Sequence, residues 1–241
     1  MFLNTTINQI DKLPYAITQN VRFNIEDVLL TYLIIILIIS LLIFRKLKYL
    51  LIVQLLFIIF LINTGLNSYN QSIQKKIFIY NIPKKSAINF IDGTNSILVS
   101  NINLLTDKDK LMYHVENNWI EEGIKNEVFF NMNELYKTNK TVHQYLFIKQ
   151  THIQYHDTRI SIINKNSRVT NSTTPLHINL LIWTNNAKMT LEEIQKSYSF
   201  KRLIIDSSNS TYTNKRLQTE ADSLGINYWS VIDQGAFVMD L

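Results

Sequence analysis

The chain contains no cysteine. Disulfides, thiolate metal sites and a cysteine nucleophile are thereby excluded, and the absence fits an extracytoplasmic location without requiring one. Glycine is nearly as scarce: five dispersed residues in 241 leave no glycine-rich loop to cradle a phosphate. A concentrated basic stripe is also missing. The 24 Lys and Arg outnumber the 19 Asp and Glu by a net +5 that is spread along the chain, so a polyanionic partner is permitted but not demanded. No internal repeat is visible. With 46% hydrophobic and 18% charged residues the chain can bury a core, which excludes wholesale disorder.

Most of the apolar excess lies before residue 67. "VLLTYLIIILIISLLIF" (28–44) carries no charge, and "YLLIVQLLFIIFLINTGL" (49–66) is broken only by Gln54 and Asn63. A bilayer core takes about 20 apolar residues in helix, with about 17 as the lower end. A pair of buried core helices is the alternative, and the lack of a polar face on either run disfavours it. A secretory signal fits worse: the run starts late, Glu26 and Asp27 precede it, and no small-residue cleavage site follows. Arg45, Lys46 and Lys48 lie between the runs. Lys and Arg accumulate in cytoplasmic loops, which puts this loop inside and both flanks outside. Residues 1–27 space Ile7, Ile10, Leu13, Ile17 and Val21 three or four apart. They are expected to form an amphipathic interfacial helix, kinked or started by Pro14.

From residue 75 to 241 the pattern is that of an α/β domain. "IFIYNI" (77–82), "SAINFI" (86–91) and "SILVSN" (96–101) read as strands, with "DGTN" turning the last two into a hairpin. Thr106 and Asp109 have capping-box spacing before Leu111, Met112, Val115 and Trp119, and Gly123 is placed to end that helix. "YLFIKQTHIQY" and "RISIIN" are alternating runs separated by "HDT". A polar loop, 164–174, ends at Pro175. Beyond it, strand "HINLLIW" (177–183), a helix capped by Thr190 and Glu193, strand "RLIIDS" (202–207) and a helix over about 212–224 alternate. "INYWSVI" then turns through "DQG" into "AFVMDL". Trp183 and Trp229 sit in strand patterns and are assigned to the core.

"THIQYHD" (151–157) raises the question of a metal. On a helix, His152 and His156 would be spaced to share an ion. The flanking Ile, Tyr and Thr favour a strand instead. There the two histidines stand roughly 13 Å apart at about 3.3 Å per residue, too far for one ion bound at about 2 Å. His114, His143 and His177 stand alone and are read as ordinary side chains.

Three stretches resemble the C-terminal part of the ComEC family, the inner-membrane DNA channels of bacterial natural competence. "YNIPKKSAINFIDGTNSILVSN" (80–101) is similar to the hairpin after the family's last span. "LIIDSSNS…LGINYWSVIDQGAFVMDL" (203–241) is similar to its terminal strand–helix–strand–strand, and "LPYA" (13–16) with the two spans to the end of its membrane competence domain. The resemblance implies a degenerate metallo-β-lactamase-type αββα domain, since longer relatives carry such a tail with metal ligands at strand ends. Those ligands are not matched here. "SNINLLTDKDK" stands where an H-x-H-x-D-H motif belongs, and Thr184, Asn185 and Asn186 stand where a His-His-Gly turn belongs. Asp206 is the one carboxylate at a matching position, better suited to capping a turn. Zinc catalysis needs three protein ligands and an open position, so no cofactor and no enzymatic activity is expected.

The expectation is therefore a membrane helical hairpin followed by an α/β soluble domain outside a bacterial inner membrane. It would serve uptake of single-stranded DNA as a truncated or split member of the family, since two spans cannot enclose a pore. Its partners would be membrane lipid, other channel helices or competence proteins, and single-stranded DNA. Lys75, Lys76, Lys84 and Lys85 are the candidates for phosphate contact. Two alternatives stand beside it: a two-span envelope protein that binds another protein, and a metal-dependent phosphodiesterase or nuclease.

Overall fold

The computed structural model describes residues 25–102, 108–135, 139–168 and 174–241. The expected interfacial helix lies almost wholly outside them, as does Thr106. Residues 25–27 begin the first helix instead.

Two helices come first. α1 (Ile25–Phe44) has 20 residues and α2 (Leu47–Ile73) has 27, and both are long and apolar enough to cross a membrane. At 1.5 Å per residue α1 is about 30 Å long, the thickness of a hydrocarbon core. Both helices exceed the apolar runs that announce them. "NSYNQSI" continues α2 because nothing in it breaks a helix. Large apolar side chains are exposed along both helices. Asp27 is buried, and Asn63 Nδ2 donates to its Oδ1 at 3.0 Å. Arg45 makes the turn in the left-handed region (φ 51°), and its N–H donates to the Leu41 carbonyl at 2.8 Å.

The second unit consists of two mixed sheets. β1 (Lys75–Ile79), β2 (Ala87–Asp92), β3 (Asn95–Ser100), β4 (Asn126–Asn131) and β12 (Phe237–Asp240) form a five-stranded sheet in the order β12-β1-β2-β3-β4. β5 (Asn139–His143), β6 (Leu146–Lys149), β7 (His152–Tyr155), β8 (Thr158–Ile163), β9 (Leu176–Trp183), β10 (Tyr198–Ile205) and β11 (Tyr228–Ser230) form a seven-stranded one in the order β11-β10-β9-β8-β7-β6-β5. Parallel pairs, β3 with β4, β9 with β10 and β10 with β11, are joined by crossovers containing α3 (Lys108–Glu121), α5 (Leu191–Gln195) and α6 (Thr211–Ser223). The sheets face each other through one apolar core. Ile77, Ile79, Ile88 and Phe90 from the first sheet meet Ile148, Ile153, Tyr155, Ile160 and Ile182 from the second.

Helices cover part of each outer face. Leu191 and Ile194 of α5, with Leu217 and Ala221 of α6, pack on Leu181, Trp183, Leu203 and Ile205. Across the five-stranded sheet, Asn89 Nδ2 donates to the Tyr80 hydroxyl at 3.1 Å, which donates to Asn118 Oδ1 of α3 at 2.6 Å. The expected hairpin is there, with Gly93 (φ 57°) in its two-residue turn, and Gly123 (φ 67°) follows α3. Trp183 is fully buried, and half-buried Trp229 packs against the core.

The structure departs from the sequence pattern in several places. "YLFIKQTHIQY" is two strands, because Gln150 (φ 54°) turns the chain between β6 and β7. "INYWSVI" is not one strand either. Ser230 caps a short helix, α7 (Val231–Gln234), by accepting from the Asp233 N–H, so β11 and β12 end in different sheets. β4, β5 and the short helix α4 (Met132–Leu135) are further elements that the apolar pattern does not announce.

Candidate functional site

The parallel strands β9 and β10 end at the same edge of the sheet, and the carboxyl ends of such strands are where open α/β sheets hold ligands. Thr184, Asn185, Asn186 and Asp206 all gather there. Asn185 and Asn186 are both left-handed (φ 53° each), a conformation asparagine tolerates. Their N–H groups donate to Ser208 Oγ at 2.8 Å and Asn209 Oδ1 at 2.9 Å. Asn209 Nδ2 returns to the Trp183 carbonyl at 2.7 Å, and Asn186 Oδ1 accepts from the Ser210 N–H at 2.7 Å. The amides and hydroxyls are thus consumed in tying the two strand ends together.

Asp206 is fully buried at the centre of this knot. Its Oδ1 accepts from the Ser208 N–H at 3.0 Å, from the Ser208 hydroxyl and from Asn209 Nδ2 at 3.3 Å, while Oδ2 makes no hydrogen bond. Burial pushes its pKa up to about 6 against the lowering effect of Ser208 and of the nearby Ser86 hydroxyl. Ser86 itself stops short of hydrogen-bond geometry.

The structure separates the four candidate lysines into two pairs. Lys75 and Lys76 begin β1, where Lys76 Nζ stands 3.9 Å from Asp240, an exposed pair worth little. Lys84 and Lys85 lie beyond the opposite end of the strand, whose five residues alone span about 13 Å. Ser207 fixes them beside the Asp206 knot. Its carbonyl accepts from the Lys84 N–H at 3.0 Å, and its hydroxyl accepts from the Ile82 N–H at 3.1 Å and lies 3.1 Å from the Lys85 carbonyl. The exposed Lys84 therefore gives this edge a positive rim.

His152 and His156 have separate partners. His152 Nε2 lies 3.1 Å from the Tyr198 hydroxyl, and burial lowers its pKa, with Lys149 adding to the effect. His156, left-handed (φ 47°) in the turn after β7, lies 2.5 Å from Asp92 Oδ2 on the β2–β3 hairpin. The Tyr145 ring stacks on His156 at 5.3 Å and 14°. Its pKa is raised to about 12 by burial and by the Asp92 charge, and its hydroxyl has no hydrogen-bond partner. In the sequence Asp92 is only a turn residue, and no local signal joins it to a histidine 64 positions away. His143 lies against Tyr145 with ring centroids 4.2 Å apart, and His114 packs edge-on against Tyr113. Among the described residues no three His, Asp or Glu side chains converge to hold a metal.

Arg45, Lys46 and Lys48 occupy the short connection between α1 and α2 and the start of α2, with Lys48 Nζ 5.3 Å from the centre of the Tyr49 ring.

Two apolar helices followed by a two-sheet α/β domain with a self-bonded polar edge define the class of this chain. Residues 77–241 match the ComEC C-terminal domain, and the chain belongs to that family. No curated protein and no solved structure matches it.

Proposed function

We propose that the chain acts in the uptake of single-stranded DNA during natural transformation, as a non-enzymatic component of an inner-membrane channel. The observation that carries this reading is the family match over residues 77–241. The hairpin of α1 and α2 would lie in the membrane with Arg45, Lys46 and Lys48 on the cytoplasmic side. The two-sheet domain would then stand outside. Two helices cannot enclose a water-filled path, so α1 and α2 would pack against further channel helices. Their exposed apolar sides suit either lipid or such partners.

The finer fold reading is a degenerate metallo-β-lactamase-type domain. The stacking of helix, sheet, sheet and helix supports it, and so does the polar knot at the ends of β9 and β10, where such domains hold metal. Asp206 alone cannot hold a catalytic zinc, which takes three protein ligands. The knot is therefore structural, and Lys84 and Lys85 on its rim, with Lys75 and Lys76 at the other end of β1, are the candidates for phosphate contact.

Deleting the gene in a naturally competent host and measuring transformation frequency tests the proposal. Loss of transformation, restored by the intact gene, is expected. Complementation with Lys75, Lys76, Lys84 and Lys85 all changed to Glu should restore about tenfold less or lower still, since phosphate contacts depend on these charges. Unchanged transformation after deletion rejects the channel role. Full restoration by the reversed variant rejects the lysines.

A further inference from the structure

On the solvent face of the seven-stranded sheet, Phe147 of β6, Gln154 of β7 and Arg159 of β8 stand side by side. Phe147 pairs with Gln154, and Gln154 with Arg159, in the strand registers. Adjacent strands lie about 4.8 Å apart, so Phe147 and Arg159 are separated by roughly 10 Å. Two open pockets meet along this row. One, of about 510 Å3, is walled by His143, Tyr145, Phe147 and His156. The other, of about 260 Å3, is walled by Arg159, His177 and Lys201. Gln154 and Asp157 line both, so the two adjoin and are taken together as one open groove.

The first pocket presents flat rings held in place from behind. Tyr145 stacks on His156 and meets the fully buried Tyr155 edge-on at 5.8 Å. Asp92 fixes His156, and Gln154 Nε2 donates to the His156 carbonyl at 3.2 Å. Phe147 is 43% exposed at the mouth. The second pocket is cationic: Arg159 and Lys201 are exposed, against the single negative charge of Asp157.

We propose that this groove binds single-stranded DNA. One base stacks on Phe147 and the rings of the first pocket, while adjoining phosphates meet Arg159 and Lys201 in the second. The inference rests on the uptake reading and deepens it by naming the surface on which the outer domain holds the strand. Every base has a π face, so stacking of this kind is tolerant of sequence. A duplex keeps its bases paired and stacked on one another, so the platform favours single strands.

The test uses the full chain in detergent micelles and fluorescence anisotropy with two labelled oligonucleotides. One is oligothymidylate, and the other has the same backbone without bases. The base-bearing strand should bind about 5- to 150-fold more tightly, the range for one stacked base. Phe147→Ala should erase that preference and leave the salt dependence intact, whereas Phe147→Trp should keep both. Arg159→Ala with Lys201→Ala should weaken both strands alike. It should also flatten the slope of log affinity against log salt by about 0.7 for each phosphate that is no longer neutralised. Equal affinity for the two strands, or a preference that survives Phe147→Ala, overturns the groove while the uptake reading stands on the deletion assay. Absence of strand binding by the unsubstituted chain also overturns the groove, and transformation frequency then judges the uptake reading alone.

Discussion

Asp206 is a carboxylate whose charge works against the fold that encloses it. Its pKa of about 6 lies above the 3.8 of an exposed aspartate, so between those values the folded chain keeps a proton that the unfolded chain has lost. Stability therefore falls as pH rises through that window, and the full penalty persists above pH 6. The difference corresponds to on the order of 3 kcal/mol. Asp206→Asn keeps Oδ1 for Ser208 and Asn209, removes the charge, and offers Nδ2 as a donor near the unbonded Ser86 hydroxyl. The variant should melt about 6–12 °C higher than the parent at pH 7, with most of that difference gone at pH 4. A lower melting point at pH 7 would mean that the ionised carboxylate is required, as a bound cation would require it. Residue identity alone marks Asp206 as a turn cap, and that part is readable because the position follows a strand. Its burial is not, because it depends on the β1–β2 connection folding over it through Ser207.

At the level of elements, local chemistry is most reliable where the sequence closes its own hydrogen bonds. The capping box of α5 is one case. Thr190 accepts from the Glu193 N–H at 3.2 Å, and Glu193 Oε2 accepts from the Thr190 N–H at 3.0 Å. Thr190→Ala should cost about 1 kcal/mol and lower the melting point by about 2–4 °C; no change in a thermal melt would show that α5 is held by Leu191 and Ile194 alone. The same kind of signal locates the β2–β3 hairpin, β9, β10 and α6, whose Ser210 cap and Gly225 (φ 65°) bracket the helix. Elements without such punctuation are not legible. β4 is mostly exposed along its first half and shows no apolar alternation, and the turn between β6 and β7 uses Gln150 and Thr151 rather than glycine or proline. Ser230 makes the opposite point. It looks like part of a strand, but Asn214 of α6 and Asp233 converge on its hydroxyl at 2.9 and 2.6 Å and draw the chain into α7.

For the whole molecule, the absence of cysteine is an experimental advantage. Lys46→Cys, between the two apolar helices, and Lys165→Cys, in the exposed turn after β8, each create a single thiol. A membrane-impermeant maleimide added to spheroplasts should label Lys165→Cys at once and Lys46→Cys only after permeabilisation. The reverse pattern would invert the proposed topology. The two-sheet domain and the apolar helices follow from patterning, and family membership from the match over residues 77–241; the groove beside Phe147 emerges only when β6, β7 and β8 are in register. The most direct measurement is to transform competent cells with DNA carrying a photoreactive thymidine analogue, irradiate during uptake, and recover the epitope-tagged chain. Covalent DNA label on the chain is the expected result. Irradiated cells that transform normally while label attaches to other membrane proteins and never to this chain would contradict a role in carrying the strand.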